Sequence, residues 1–387
     1  MIELDTEVNR MARYAHIVGW GMAVPQRVVT NHELAQFVET SDEWIVTRTG
    51  IRERRVAGPQ ESTATLSIAA AEEALAVAGI APRDVDLILV ATVTPEHLFP
   101  STACLVQDAL GATKAGAFDL LAGCSGFIYG LHMAAAAIRA GTHQVALVIG
   151  AETLSRIVNW RDRNTCVLFG DGAGAVVLQG KDEPGGVLAS MIRADGSGGE
   201  LLILPAGGSR LPISEAVVRD GCHFVRMNGR EVFRFATRVM EKATREVVAQ
   251  AGLRMEDVDL IIPHQANIRI IEAAAKGLGL PMDRFFVNID RYGNTSSASI
   301  PIALCEAVQQ GRLKPGDRAV MVAFGAGLTW AAAVIQWGVP RARPRPLWLE
   351  RLARVTLYVP AQLHSRLMRL WRRFDAWLSR ILRQEGE

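Results

Sequence analysis

The chain is short of the devices that staple small secreted folds or hold metal. Its five cysteines, at 104, 124, 166, 222 and 305, are odd in number and scattered through 387 residues. There is no C-x-x-C pair and no grouping of His and Cys at zinc-ligand spacing, so neither a disulfide framework nor a zinc site is implied. The first residues, carrying Glu3, Asp5 and Glu7, lack the basic start and apolar centre of a secretory signal. A reduced, cytoplasmic setting is the resulting expectation. A net charge of +2 gives no footprint for nucleic acid. The longest apolar stretch, Leu120 to Ile138, is interrupted by Gly123, Ser125, Gly126, Gly130 and His132, and its alanines suit close packing inside a protein. It is expected to be core, not a membrane span.

What is present is a long-period repeat. At 387 residues the chain exceeds one average core, and two domains or two fused halves are expected. The segment Ala78 to Val90 (Ala-Gly-Ile-Ala-Pro-Arg-Asp-Val-Asp-Leu-Ile-Leu-Val) is echoed by Ala251 to Pro263 (Ala-Gly-Leu-Arg-Met-Glu-Asp-Val-Asp-Leu-Ile-Ile-Pro). Each reads as a helix end, a short loop and a buried strand. A looser pair sets Val145 to Ile149 before Gly150 against Ala319 to Phe324 before Gly325. Cys124 lies 17 positions before Gly141, and Asn294 lies 17 before Gly311, each following a glycine that closes a strand-like run. The repeat has βαβ character, and it makes Cys124 and Asn294 equivalent points of two related halves.

Phe118 to Leu131 predicts a strand, a tight turn carrying Cys124, and a buried helix. A thiol at a helix N-terminus sits at the positive end of the dipole, which favours thiolate and makes Cys124 a candidate nucleophile. A buried, inert core cysteine fits the same pattern. The second strand of the repeat leads into His264-Gln265-Ala266-Asn267. Ser41, with acids just after it, predicts a helix start. Trp44 and the arginines from Arg48 to Arg55 follow, suited either to an anionic ligand with a flat ring or to a solvated face. Phe99 stands between two prolines in a loop. Phe169 to Leu178 contains G-x-G-x-G but runs into a strand instead of opening a helix, so it is no dinucleotide site. The glycines from 196 to 208 predict a long loop.

Three motifs in chain order, Ala-Gly-Cys124-Ser-Gly, Pro-His264-Gln-Ala-Asn and Tyr-Gly-Asn294-Thr-Ser, together with Ser41 to Arg55 and Phe324 to Trp330, resemble β-ketoacyl-acyl carrier protein synthase III. The resemblance spans residues 14 to 338. It implies an α/β, thiolase-like five-layered αβαβα fold from two pseudo-symmetric halves, 14–185 with the nucleophile and 186–339 with His and Asn, assembled as a homodimer. It also implies decarboxylating condensation of an acyl-CoA primer with malonyl-acyl carrier protein, with no cofactor and no metal. A related acyltransferase or condensing enzyme of secondary metabolism is the alternative, and a quiet thioester-binding protein a third reading.

The chemistry suits the residues. A thiolate accepts the acyl group, and a pair of neutral donors steadies the enolate oxygen without quenching the carbanion. By resemblance Cys124, His264 and Asn294 are catalytic, and the backbone N–H groups of Cys124 and Ala326 form an oxyanion site. The family often has Gly where Ala326 stands. Trp44, Arg48 and Arg163 would hold the adenine and phosphates of coenzyme A, Asn267 the pantetheine, and Phe99 would reach into the neighbour's acyl pocket. Arg234 and the segment Gln265, Ala266, Asn267, Ile268 and Arg269 would meet acyl carrier protein.

Residues 340–387 lie beyond the resemblance. They hold eleven arginines, no lysine and four acids, a net charge of +7 against −5 for the rest. Prolines 340, 344, 346 and 360 make the first part a linker. From Ala361 on, Leu363, Leu367, Leu370, Trp371, Phe374, Trp377, Leu378 and Ile381 fall on one helical face and the arginines largely elsewhere. Such a basic amphipathic helix, residues 361–384, can pack on its own dimer, bind an anionic membrane surface or enter a partner's groove.

Overall fold

Strands buried on both faces need helices on both sides, and this chain supplies them twice. The computed structural model describes residues 13–338 and, in the C-terminal segment, residues 363, 367, 368, 370–372, 374 and 375. The first half runs β1 (Tyr14–Ala23), β2 (Val28–Thr30), α1 (Asn31–Leu34), α2 (Asp42–Thr49), β3 (Glu53–Arg55), α3 (Thr63–Ala78), β4 (Leu87–Ala91), α4 (Thr102–Leu110), β5 (Gly116–Leu120), α5 (Gly126–Arg139), β6 (Val145–Thr153), α6 (Arg163–Cys166) and β7 (Asp171–Lys181). The second runs β8 (Gly186–Ala194), β9 (Leu202–Ile203), α7 (Glu215–Arg219), β10 (Arg226–Met227), α8 (Gly229–Gln250), β11 (Leu260–Pro263), α9 (Ile268–Leu278), α10 (Ile289–Tyr292), α11 (Ser299–Gln309), β12 (Arg318–Gly325) and β13 (Thr329–Gln336).

The larger sheet has the order β1-β7-β6-β4-β5, with β4 parallel to both its neighbours; the smaller has the order β11-β12-β13-β8. Helices α5 and α11 lie between the sheets, α3 and α4 cover the outside of the first, and α8 and α9 cover the second. This is the five-layered arrangement expected. Its middle layer needs small residues and full burial, which the Ala-rich α5 supplies: Phe127, Ile128, Leu131, Ala134 and Ile138 are all solvent-free. From Ala122 to Ile138 the stretch is largely core, as the sequence predicts, although Leu121 before it and Met133 on the helix are exposed.

The repeat is visible element by element. Helix α3 ends on Gly79 (φ +68°) and α8 is followed by Gly252 (φ +69°), a left-handed turn that glycine adopts without strain. A 3₁₀ turn then precedes β4 and β11 alike. The turns Gly123–Ser125 and Ser296–Ala298 open α5 and α11, which close at Gly141 and Gly311. Two local expectations fail. The run before Asn294 forms no strand: α10 and its flanking coil occupy it, because Asn288, Arg291 and Tyr292 all bond the buried Glu306 carboxylate. The 196–208 stretch is no plain loop either, since residues Gly196–Leu201 form a 3₁₀ segment leading into β9.

Candidate active site

The turn carrying Cys124 and the turn following Asn294 touch at the seam between the halves. Glycine is required here by space. A β-carbon at Gly123 would stand 2.7 Å from the Ala326 nitrogen, one at Gly150 or Gly325 would strike the backbone of Ser297 or Cys124, and one at Gly126 would press on Ala91. The backbone of Ala326 therefore lies directly against Gly123 and Cys124. Thr329 secures this approach: its hydroxyl lies 2.8 Å from the Ala122 carbonyl and 3.0 Å from that of Ala326.

Cys124, His264 and Asn294 line one pocket, together with Leu168, Phe169, Phe324, Gly325, Leu202, Met227, Val232, Phe233, Ala266 and Asn267. No carboxylate is among the lining residues. His264, at the end of β11, is 1% exposed, and burial holds its pKa down to about 3, so the ring is neutral. Its Nδ1 lies 2.6 Å from Ser299 Oγ, while its Nε2 is buried without a partner. Ser299 Oγ receives the Gln265 N–H at 3.4 Å and has no other acceptor than His264 for its own hydrogen among the described residues. The hydroxyl thus donates to Nδ1, which leaves the ring proton on Nε2, facing the pocket.

Asn294 is oriented the same way by different means. Its backbone bridges to the strand leader at Phe169, with Asn294 N–H on Leu168 O (2.8 Å) and Gly170 N–H on Asn294 O (3.0 Å). Its Oδ1 accepts the Ser296 N–H at 2.9 Å, so the Nδ2 hydrogens are the face left for a ligand. Ser296 adopts φ +48°, a left-handed conformation uncommon for a side chain of this kind. Glu152 holds it there. That carboxylate, fully buried at the end of β6, receives Thr94 Oγ1 (2.6 Å), Val93 N–H (3.1 Å), Ser296 Oγ (3.1 Å) and Ser297 Oγ (2.9 Å). Burial raises its pKa, and these donors offset the rise only in part.

The structure sets burial against the expected thiolate. Cys124 is 8% exposed, and desolvation pushes its thiol up to about 12; the Ser296 contact lowers it, and the Glu152 charge raises it further. Loss of solvent thus works against the thiolate that the helix start favours.

The other predicted residues separate into groups. Ser41 caps α2 by accepting the Trp44 N–H, and the guanidinium groups of Arg48 (4.7 Å) and Arg163 (4.9 Å) lie over the Trp44 ring. Asn267 caps α9 and donates Nδ2 to the Arg48 carbonyl at 3.0 Å, joining this cluster to the pocket wall. Ile268 packs under Gly50, whereas Arg269 is exposed over Phe233 and Arg234 is exposed beside Glu231. Gln265 is a correction: at 1% exposure, with its amide bonded to Pro263 O, Phe286 O and Asn288 N–H, it cannot touch a protein partner and instead braces the His264 loop. Phe99 is 87% exposed and outside its own chain's pocket. Ser299, Ser296 and Glu152 were missed in the sequence, although a lone carboxylate in the apolar run Val145 to Thr153 is a readable signal.

Residues 118–196 match the family model described as 3-oxoacyl-[acyl-carrier-protein (ACP)] synthase III, and residues 248–337 match that of its C-terminal part. The chain is 58% identical over 322 residues to a protein of Symbiobacterium thermophilum named beta-ketoacyl-[acyl-carrier-protein] synthase III, covering 83% of this chain and 98% of that one. A relative of the same name from Roseiflexus sp. is 56% identical over 327 residues, 84% of this chain and 99% of its own. The crystal structure of 3-oxoacyl-[acyl-carrier-protein] synthase III from Aquifex aeolicus superposes with a TM-score of 0.78 at 50% identity, over 84% of this chain and all of that one.

Proposed function

The chain belongs to the β-ketoacyl-[acyl-carrier-protein] synthase III family, condensing enzymes that initiate fatty acid synthesis, and from that premise we propose how its residues carry the reaction. Cys124 Sγ attacks the thioester carbonyl of an acyl-CoA primer. The tetrahedral oxygen is held by the N–H groups of Cys124 and Ala326, a reading supported by the close approach of those two segments. The C–S bond to coenzyme A breaks, and the departing sulfur takes the proton that Cys124 gives up. A neutral resting thiol suits this exchange, because nucleophile and leaving group trade one proton.

Malonyl-acyl carrier protein then presents its thioester in the same channel. Its carboxylate leaves as CO2, and the electron pair moves onto the thioester oxygen, which accepts from His264 Nε2–H and Asn294 Nδ2–H. The enolate carbon attacks acyl-Cys124, the carbon–carbon bond forms, the C–S bond breaks, and the freed sulfur recovers a proton from solvent. The observation that carries this reading is the pair of neutral donors facing a buried thiol in a pocket lined by no acid. No cofactor takes part, since decarboxylation itself generates the carbanion.

Trp44, Arg48 and Arg163 hold the nucleotide end of the primer, with Asn267 beside the pantetheine arm. Arg234 and Arg269, with Ala266 and Ile268, receive the acidic carrier protein. The working unit is a homodimer in the cytoplasm. Among the described residues edge strand β5 has no neighbour on one side, and Phe118, Leu121, Leu98 and Phe99 are exposed around it, which favours pairing with a second copy. In that pairing Phe99 enters the neighbour's acyl pocket. The test is condensation with malonyl-acyl carrier protein across acyl-CoA primers of increasing length, with Cys124→Ala as control. Product with a clear primer preference, lost in the variant, is expected. Acylation of Cys124 without CO2 release from any primer would refute condensation.

A further inference from the structure

The basic amphipathic helix expected over residues 361–384 falls for the most part outside the described residues. Within the catalytic body, Glu306 on helix α11 is a carboxylate 6% exposed that lies outside the pocket. Three side chains donate to it. Asn288 Nδ2 lies 2.8 Å from Oε2, Arg291 reaches the two oxygens at 2.7 and 2.6 Å, and the Tyr292 hydroxyl lies 2.8 Å from Oε1. Burying a carboxylate with its guanidinium partner seldom adds net stability over an apolar pair of the same volume, so stability alone does not account for the cluster. All three donors lie on the short helix α10 or at its N-cap. A single helical turn does not hold itself together in water. Asn288, at that N-cap, makes no side-chain cap and turns its amide to Glu306 instead. The carboxylate thus fixes α10 on α11.

Helix α10 in turn is tied to both neutral donors of the pocket. Toward Asn294 the link is Gly293, which donates its N–H to Ile289 O at 2.9 Å and adopts φ +63°. It passes so close to the neighbouring segment that a β-carbon would stand 2.8 Å from the Leu168 carbonyl oxygen. One residue separates α10 from Asn294, and it has no room to absorb a shift. Toward His264 the link is Gln265, whose Oε1 accepts the Asn288 N–H at 3.1 Å and whose Nε2 donates to Phe286 O at 3.0 Å. Ser299, which bonds the His264 ring, opens the helix that carries Glu306 about two turns further on, on the same face. Helix α11 therefore holds both donor loops, one through Ser299 and the other through Glu306.

We propose that Glu306 is a positioning residue that keeps His264 and Asn294 at one fixed spacing, so that both N–H groups meet the same enolate oxygen. This deepens the condensation reading and rests on it. Cys124 is carried by a different turn, so loss of Glu306 acts on decarboxylation and spares acylation. The test uses the full chain and follows coenzyme A release on acylation and CO2 release from malonyl-acyl carrier protein separately. Glu306→Gln keeps the size but sets an amide N–H against the donors of Asn288 and Arg291. It should slow CO2 release by about 10², as a displacement of about 1 Å does, and leave acylation within a few-fold. Adding Asn288→Asp exchanges acid and amide, restores a donor–acceptor pair, and should recover at least about tenfold of the loss. Tyr292→Phe removes one donor with little change in packing and should slow CO2 release about three- to tenfold, which keeps the test open where Glu306→Gln does not fold. CO2 release at the native rate in either folded variant would overturn the proposal. So would an equal fall in both half-reactions, or a double variant that regains thermal stability without regaining CO2 release. A native chain that is acylated but releases no CO2 would overturn the condensation reading, and this one with it.

Discussion

Replacing Ser299 by alanine removes the hydrogen bond that sets the tautomer of His264. Among the described residues the Ser299 hydroxyl is the hydrogen-bond partner of Nδ1, at 2.6 Å, on a side chain 1% exposed. Without it a buried ring nitrogen loses its hydrogen bond, at a cost of about 1–3 kcal/mol. The imidazole is then free to carry its proton on Nδ1, turning a lone pair toward the enolate oxygen where an N–H is needed. Loss of one such donor slows an oxyanion step by about 10²–10³. The assay compares two half-reactions: coenzyme A release on acylation of Cys124, and CO2 release from malonyl-acyl carrier protein on the acylated enzyme. Ser299→Ala is expected to slow CO2 release by about 10² while leaving acylation within a few-fold, and Ser299→Thr to restore much of the loss. Because His264 is held at about 3, CO2 release should show no imidazole inflection between about pH 5 and 8. Decarboxylation at the unaltered rate in a folded Ser299→Ala protein, or an inflection near the ordinary histidine value, would refute the tautomer argument.

Cys124, pushed up to about 12 by burial, should be alkylated by iodoacetamide at a rate rising about tenfold per pH unit through pH 9; a plateau near neutrality would show a resting thiolate. Trp44→Ala should raise KM for acyl-CoA by about 5–30-fold, the equivalent of about 1–2 kcal/mol of lost stacking, and leave KM for malonyl-acyl carrier protein unchanged. An equal rise for both substrates would remove the nucleotide role. Glu152 binds its proton more tightly folded than unfolded, so its contribution to stability falls as pH rises from the ordinary value of 4.5 through the raised one. In denaturant titrations the stability difference between the native chain and Glu152→Gln should therefore shift against the native chain over that window, and a constant difference would contradict the assignment.

The sequence pointed to the three residues that share one pocket, Cys124, His264 and Asn294, and to the two-fold repeat, because both rest on local chemistry: a glycine that must turn, a cysteine, histidine or asparagine in a fixed string, a strand of unbroken apolar residues. It did not carry what depends on burial by distant segments. Cys124 lies at a helix start, which argues for thiolate, yet its solvation is decided by the loop at Gly325, two hundred residues away. Gln265 reads as a polar residue between two site residues, and only the packing of Phe286 and Asn288 shows it turned inward. Ser299 is one of several serines in its run, and nothing local distinguishes the one that faces a histidine from Ser297, which faces Glu152.

The meeting of the Cys124 turn with the Ser296 turn bears on how such an enzyme could arise. Doubling a chain normally yields two copies of any pocket, each under the same selection. A pocket lying on the axis that relates the copies is different: it is single, and each copy lends it one wall from an equivalent position. Once fused, the two walls are free to diverge, because neither has to serve as both. Here one wall brings the thiol of Cys124 and the other the neutral side chains of His264 and Asn294, so the pocket draws on both halves and exists only where they meet.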